Sequence, residues 1–221
     1  EGLDPSTIEG SADMPYAIPN LRVEVHNTRE GVPILWWRSV GHSITGFVTN
    51  GVIDELATLA NKDPYEYRRE LLKEKPRHLA VLERAATAAN WGQALPAGHF
   101  HGIALQESFG SIVAQVAEVS VSNGKARVHR VTCAVDCGLA VNPSQVVAQM
   151  ESGILYGLSA ALDGEINIEG GPAWAILRDI QDQPTDMGRR AKLYLQREEQ
   201  RREAILQGDE DRGSDLGSRH D

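Results

Sequence analysis

Apolar and polar positions alternate at Leu21, Val23 and Val25, which predicts a strand over LRVEVHN. After a turn at Thr28 to Gly31, the run PILWWR from Pro33 to Arg38 predicts a second extended segment. The small residues Ser39, Gly41 and Ser43 then lead into a helical period, with Phe47, Ile53, Leu56, Leu59 and Ala60 on one apolar side and Asn61 at its close. Two further helices follow. Asp63 and Pro64 open the first as N-cap and first helical residue, and Pro76 opens the second, in which Leu79, Leu82, Ala86 and Ala89 recur at helical spacing.

From Phe100 the period falls to two. HGIALQES, GSIVAQVAEVSV and KARVHRVTCAV read as strands, with Ser122, Asn123 and Gly124 as a hairpin turn between the last two. Past Asn142-Pro143, Ser144 is the expected cap of a helix striped by Val147, Met150, Ile154, Leu155, Leu158 and Leu162. Gly153, Gly157, Ser159 and Ala160 would let a neighbour approach it closely. Gly164 ends the helix and EINIEGG starts a strand, but from Pro172 the alternation stops. The tail carries a charged helix over Gly188 to Gln207, and the rest composes like disorder. The expectation is an α+β fold, helices packed on a mixed sheet with a β-hairpin, divided as 1–15 polar lead-in, 16–171 domain and 172–221 atypical charged tail.

A length of 221 residues allows one or two domains with a sizeable core. The net charge of −9 argues against nucleic acid as a partner, because phosphate recognition needs a positive field. Apolar runs such as Gly153 to Leu162 fall well short of the roughly 20 residues that cross a bilayer, so no membrane span and a soluble protein are expected. The opening residues show neither a charged n-region nor an apolar h-region, so no signal peptide is expected in them. Cys133 and Cys137 are too few for a tetrahedral metal site and read as buried structural thiols on the face of Val131 and Val135.

Walker loop, G-x-G-x-x-G, G-x-S-x-G and H-E-x-x-H motifs are all missing, which removes the standard nucleotide, hydrolase and zinc-protease readings. His99 and His101 share a strand face but have no third ligand nearby, so packing histidines are expected and no metal site is assigned. The run LWWRSVGHS from Leu35 to Ser43 carries two readings. Either its turn presents backbone amides at a helix N-terminus to an oxyanion or oxo group, or its aromatic pair is a buried anchor.

WWRSVGHS, then VIDELATLANKDPYEYRRELL, HGIALQESFGSIVAQVAEVSV and AVDCGLAVNPSQVVAQMESGILYGLSAALDGEI, in that order, resemble the molybdopterin-binding large subunit of the xanthine dehydrogenase/aldehyde oxidase superfamily, in the branch of the isoquinoline 1-oxidoreductase beta subunits. The resemblance runs from about Tyr16 to Gly171, the later part of such a subunit. It implies a molybdenum-pterin cofactor in its cytosine dinucleotide form. It also implies that Trp37, Arg38, Ser39, Val40 and Gly41 lie beside the metal centre, that Gln149 reaches the pterin, and that Ser152 and Gly153 allow close approach.

The implied chemistry is hydroxylation of an N-heterocycle or an aldehyde with water-derived oxygen, electrons leaving through an iron–sulfur small subunit to an acceptor such as a cytochrome. The implied compartment is the periplasm, with the cytoplasm as alternative. Departures accompany the resemblance: Gln106 stands where many relatives have His, Ser152 where they often have Gly, and the G-x-G-E-P type motif that carries the base is missing. Glu151, Glu165 and Glu169 are the nearby carboxylates, none with a spacing that places it, so the catalytic residues stay unassigned. The chain by itself is expected to be inactive; a truncated, non-catalytic subunit-interaction module and a reading-frame shift after Gly171 are the competing accounts.

Overall fold

A computed structural model describes residues 4–26, 36–167, 174–177 and 192–195. After a single 3-10 turn at Pro5–Thr7 come helices α1 (His42–Leu59), α2 (Pro64–Leu71) and α3 (Pro76–Ala88), then strands β1 (His99–Ser108), β2 (Ser111–Ser122) and β3 (Lys125–Asp136), helix α4 (Pro143–Leu162), and strands β4 (Gly164–Asn167), β5 (Trp174–Leu177) and β6 (Lys192–Leu195). β1, β2 and β3 form an antiparallel meander to which β6 adds in parallel beside β3, so the sheet is mixed, as expected. β4 and β5 pair separately.

The alternation of the meander sets two layers of packing. Ile103 and Leu105 of β1, Ile112, Ala114 and Val116 of β2 and Ala134 of β3 face α1 to α3, where they meet Ile53, Leu72, Val81, Leu82, Ala85, Ala86 and Ala89. Val113, Ala117, Val131 and Cys133 point to the other face, against Met150, Ile154 and Leu158 of α4. Because successive strand residues point to opposite faces, one meander serves both layers. Cys133 is fully buried there, and burial pushes its thiol up to about 12, which leaves it unionised and inert. Cys137 lies beyond the end of β3 and is half-buried, so only the first cysteine is the core thiol expected.

Local rules account for most termini. Asp63 accepts hydrogen bonds from the amides of Tyr65 and Glu66 at the start of α2, with Pro64 at its first position. Asn61 and Asn90 take left-handed backbones after α1 and α3, and the amides that follow them return to Ala57 and Ala86 carbonyls. Asn123-Gly124 makes the two-residue hairpin turn, and Phe109-Gly110 makes a second one between β1 and β2. The cap of α4 is Asn142, not Ser144: its side chain accepts from the Gln145 amide, and Pro143 fills the first helical position. Pro143 has no N–H to leave unpaired and suits the first helical position, so the helix starts two residues earlier than a Ser144 cap would place it.

Other expectations give way to tertiary packing. Leu21 to His26 have no regular structure, with Leu21 and Val23 exposed, and residues 36–38 are not extended strand either. Residues 27–35, which hold the rest of both expected segments, lie outside the described residues. On α1 the buried face is Thr49, Asn50, Ile53 and Ala57, while Phe47 and Leu59 are each 83% exposed. Residues 192–195, expected in a charged helix, are strand β6. Lys-Leu-Tyr-Leu alternates with period two, and the open side of β3 supplies backbone partners.

What turns α1 so that polar residues face inward is Asn50. Its side-chain oxygen accepts the Leu105 amide at 2.9 Å and its side-chain nitrogen donates to the Leu105 carbonyl at 3.0 Å, so one amide group stands in for a neighbouring strand at the edge of β1. Arg68 of α2, fully buried, donates to the Asn50 carbonyl at 3.1 Å and to Asp54 at 2.6 Å. Replacing Asn50 by Ala removes both partners of Leu105, and a loss of about 3 kcal/mol in urea unfolding is expected.

The far end of the meander carries a histidine group. His99 and His129 stack at 4.0 Å, His99 bonds to Glu118 at 2.8 Å, and His101 stacks on Trp91 at 5.7 Å. Burial lowers the pKa of His101, and the His99 hydrogen bond, with Arg130 nearby, lowers that of Glu118. In both cases the unfolded chain binds the proton more readily than the folded one, so stability falls as pH drops through about 6.5 and falls again below about 4.5. Thermal unfolding across this range should show the upper phase disappear in His101→Phe and the lower one persist.

Candidate functional site

β3 ends at Asp136, whose buried carboxylate accepts from Arg77 of α3 at 2.9 Å and from the Gly138 amide at 3.0 Å. This bond turns the chain into the loop 137–142 and from there into α4. On α4, Gln149, Ser152, Gly153 and Tyr156 follow one another at spacings of three and four, which places them along one face. Ser152 is exposed, and a side-chain carbon built on Gly153 would meet nothing within 4 Å. Gly157 is equally open, so among the described residues neither glycine serves the close helix packing expected of it.

Opposite this face stands the turn before α1. Arg38 Nη2 donates to Gln149 Oε1 at 2.9 Å, joining residues 111 apart in the chain. Trp37 lies on Tyr156 with ring centroids 5.2 Å apart. The structure thus brings together Trp37, Arg38 and Gln149, three residues singled out from sequence, with Ser152 and Gly153 one turn further along the helix. Both Trp36 and Trp37 are exposed, at 73% and 50%, so the aromatic pair is not a buried anchor.

Ser39 and Val40 both have left-handed backbones, φ 69° and 52°. For a β-branched residue this is a strained conformation, of order 1–3 kcal/mol. The amides of Val40 and of the first helical residues are engaged: Val40 donates to the Trp37 carbonyl, His42 to Ser39, Ser43 to Val40 and Ile44 to Gly41. Gly41 donates to a Glu9 carboxylate oxygen at 3.3 Å. The amides of Val40 to Ile44 are thus taken by acceptors of the chain itself, while the Arg38 guanidinium keeps N–H groups beyond the one given to Gln149.

Gln106 belongs to this region, although in sequence it stands out only as a departure. Its amide nitrogen lies 3.1 Å from His42 Nδ1 and donates to the Glu107 carbonyl at 3.2 Å. Glu9 carries no sequence signal at all, since it lies in a polar stretch without a motif. Of the three carboxylates near the place of the expected base, Glu151 is half-buried on α4, Glu165 is in β4, and Glu169 lies outside the described residues. Among the described residues no group of three or more His, Cys, Asp and Glu could hold a metal.

A profile of the molybdopterin cofactor-binding domain family matches residues 24–173. The chain belongs to this family. Among curated proteins it is 32% identical over 161 residues to the beta subunit of isoquinoline 1-oxidoreductase from Brevundimonas diminuta, a match that covers 71% of this chain and 21% of that protein. It is 29% identical over 174 residues to a nicotinate dehydrogenase subunit from Pseudomonas putida, covering 70% and 15%. It is 32% identical over 158 residues to a membrane-bound aldehyde dehydrogenase (pyrroloquinoline-quinone) from Gluconacetobacter polyoxogenes, covering 62% and 20%. The chain thus spans 21% of the length of the first of these relatives and 15% of the second. The resemblance to the large subunits of the xanthine dehydrogenase/aldehyde oxidase superfamily holds, and with it the α+β fold expected. No helix among the described residues is long and apolar enough to cross a membrane.

Two measurements test the geometry. Because Arg38 and Gln149 are exposed, a double-mutant cycle with alanine should give a coupling of less than about 1 kcal/mol, so their pairing orients the groups more than it holds the fold. Val40→Gly should raise stability by about 1 kcal/mol by relieving the left-handed backbone, where Val40→Ala gains less.

Proposed function

We propose that this chain forms one wall of the molybdenum-pterin site of a molybdenum hydroxylase large subunit. The observation that carries the reading is the 2.9 Å bond between Arg38 and Gln149, which unites two separate segments of the family match on one open face. The donor set suits a pterin dinucleotide. Arg38 has N–H groups beyond the one used on Gln149 and can meet phosphate or ring oxygens, and the Gln149 amide can both donate and accept.

Ser152 and Gly153 leave the surface beside Gln149 low, and Trp37 on Tyr156 borders it with aromatic area. Ser39, Val40 and Gly41 contribute by shaping the turn that presents Arg38. In this reading the cofactor is the cytosine dinucleotide form; when bound, it supplies the redox chemistry by which a carbon is hydroxylated with oxygen from water. The substrates are N-heterocycles or aldehydes, in keeping with the names of the relatives. The partner is an iron–sulfur small subunit, with a cytochrome as electron acceptor, and the compartment is the periplasm.

Arg38 binds and orients, and Gln149 fixes its guanidinium; no described carboxylate is assigned as base. Since the chain spans 15–21% of its relatives, the isolated polypeptide should hold molybdenum far below one equivalent by elemental analysis. In a complete large subunit carrying these residues, Arg38→Ala should lower pterin and molybdenum content together by about tenfold, the loss expected of one charge-assisted bond. Full cofactor occupancy in that variant would overturn the reading.

A further inference from the structure

Helix α1 begins without the usual devices. Its N-cap is Gly41, no side chain of the helix caps it, and its first turn contains no acidic residue. Yet the strained Ser39-Val40 turn must be held just before it. The acceptor comes from Asp4 to Tyr16, a segment that precedes the family match at residues 24–173.

There Glu9 makes two contacts with α1: a carboxylate oxygen accepts the Gly41 amide at 3.3 Å, and its backbone carbonyl accepts Thr45 Oγ1 at 2.5 Å. The fit is reciprocal. A side-chain carbon on Gly41 would collide with the Ser6 carbonyl, and one on Gly10, whose φ is 77°, would collide with Thr45 Oγ1, Gln106 and His42. Asp13 accepts the Gly10 amide at 2.7 Å and sets that residue's orientation, while Tyr16 anchors the segment in the main core. Two glycines on facing stretches of chain, each seated against the other segment, make this a specific docking and not a loose overlay.

We infer that Glu9 is a positioning residue for the Arg38 turn: it supplies from a distant segment the carboxylate cap that α1 lacks, and so keeps Arg38 aimed at Gln149. This rests on the reading of that turn as a cofactor contact. A carboxylate at this place also offsets the positive end of the α1 dipole, which leaves the Arg38 guanidinium as the cationic group presented to an anionic ligand.

Hydrogen exchange of the 221-residue chain tests it without any bound cofactor. In Glu9→Ala the amides of Gly41, His42 and Ser43 should exchange about tenfold faster, with β2 and β3 unchanged. Glu9→Gln, which keeps an acceptor oxygen, should restore most of the protection. Thr45→Val removes the second contact, together with the bond from the same hydroxyl to the Gly41 carbonyl at 3.0 Å, and should loosen the same amides. Unchanged protection in both Glu9→Ala and Thr45→Val overturns the inference, as does an equal loss throughout β2 and β3. Its fate is separable from that of the cofactor reading: faster exchange in Glu9→Ala alongside full cofactor in an Arg38→Ala subunit supports the positioning and sinks the cofactor assignment. Unchanged exchange with cofactor loss does the reverse.

Discussion

One side-chain amide, that of Asn50, sets the relation between the helices and the sheet. It satisfies both backbone groups of Leu105 at the edge of β1, and its own carbonyl is held by the buried Arg68. A buried edge with unpaired N–H and C=O groups is costly, and a helix residue that pairs with both fixes the helix in depth, rotation and axial position at once. The consequence is visible along α1. Thr49, Asn50, Ile53 and Ala57 face inward, and the more apolar Phe47 and Leu59 are turned to the surface.

That placement decides where the helix begins to matter. With the middle of α1 tied to β1, its N-terminal turn stands beside Gln106 at the end of the same strand and within reach of Glu9. The turn can then bear the left-handed Ser39 and Val40, because neighbours on more than one side over-determine its path. From the opposite layer α4 brings Gln149, carried there by the chain reversal at Asp136 and the Asn142 cap. Arg38 and Gln149 meet because two layers, each packed on its own face of one meander, end on the same side.

Much of this was legible in the order of residues. The caps at Asp63 and Asn61, the three strands, the Asn123-Gly124 turn and the stripe of α3 follow from short-range chemistry, which acts the same way in any context. The candidate site was legible through a different route: its residues lie in motifs of the family, and the geometry joins three of them. Glu9 was not legible, since a glutamate in a polar stretch has no local pattern, and its partner Gly41 lies 32 residues away. Nor was the second hairpin turn, where Phe109 takes the position usually held by Asn or Asp.

The sequence by itself determined the α+β class, the identity of the helices and the Asp63 cap of α2, the alternation that gives the meander two buried faces, and membership in the molybdopterin cofactor-binding family. Only the tertiary structure decided that LRVEV would not be a strand as far as His26, that Asn50 and not Phe47 would face the core, and that a cap for α1 would come from Glu9. The physical reason is the same in each case. Periodicity reports how much apolar surface a segment can bury, but which face is buried depends on unpaired backbone groups elsewhere in the chain, and those exist only once the sheet has formed.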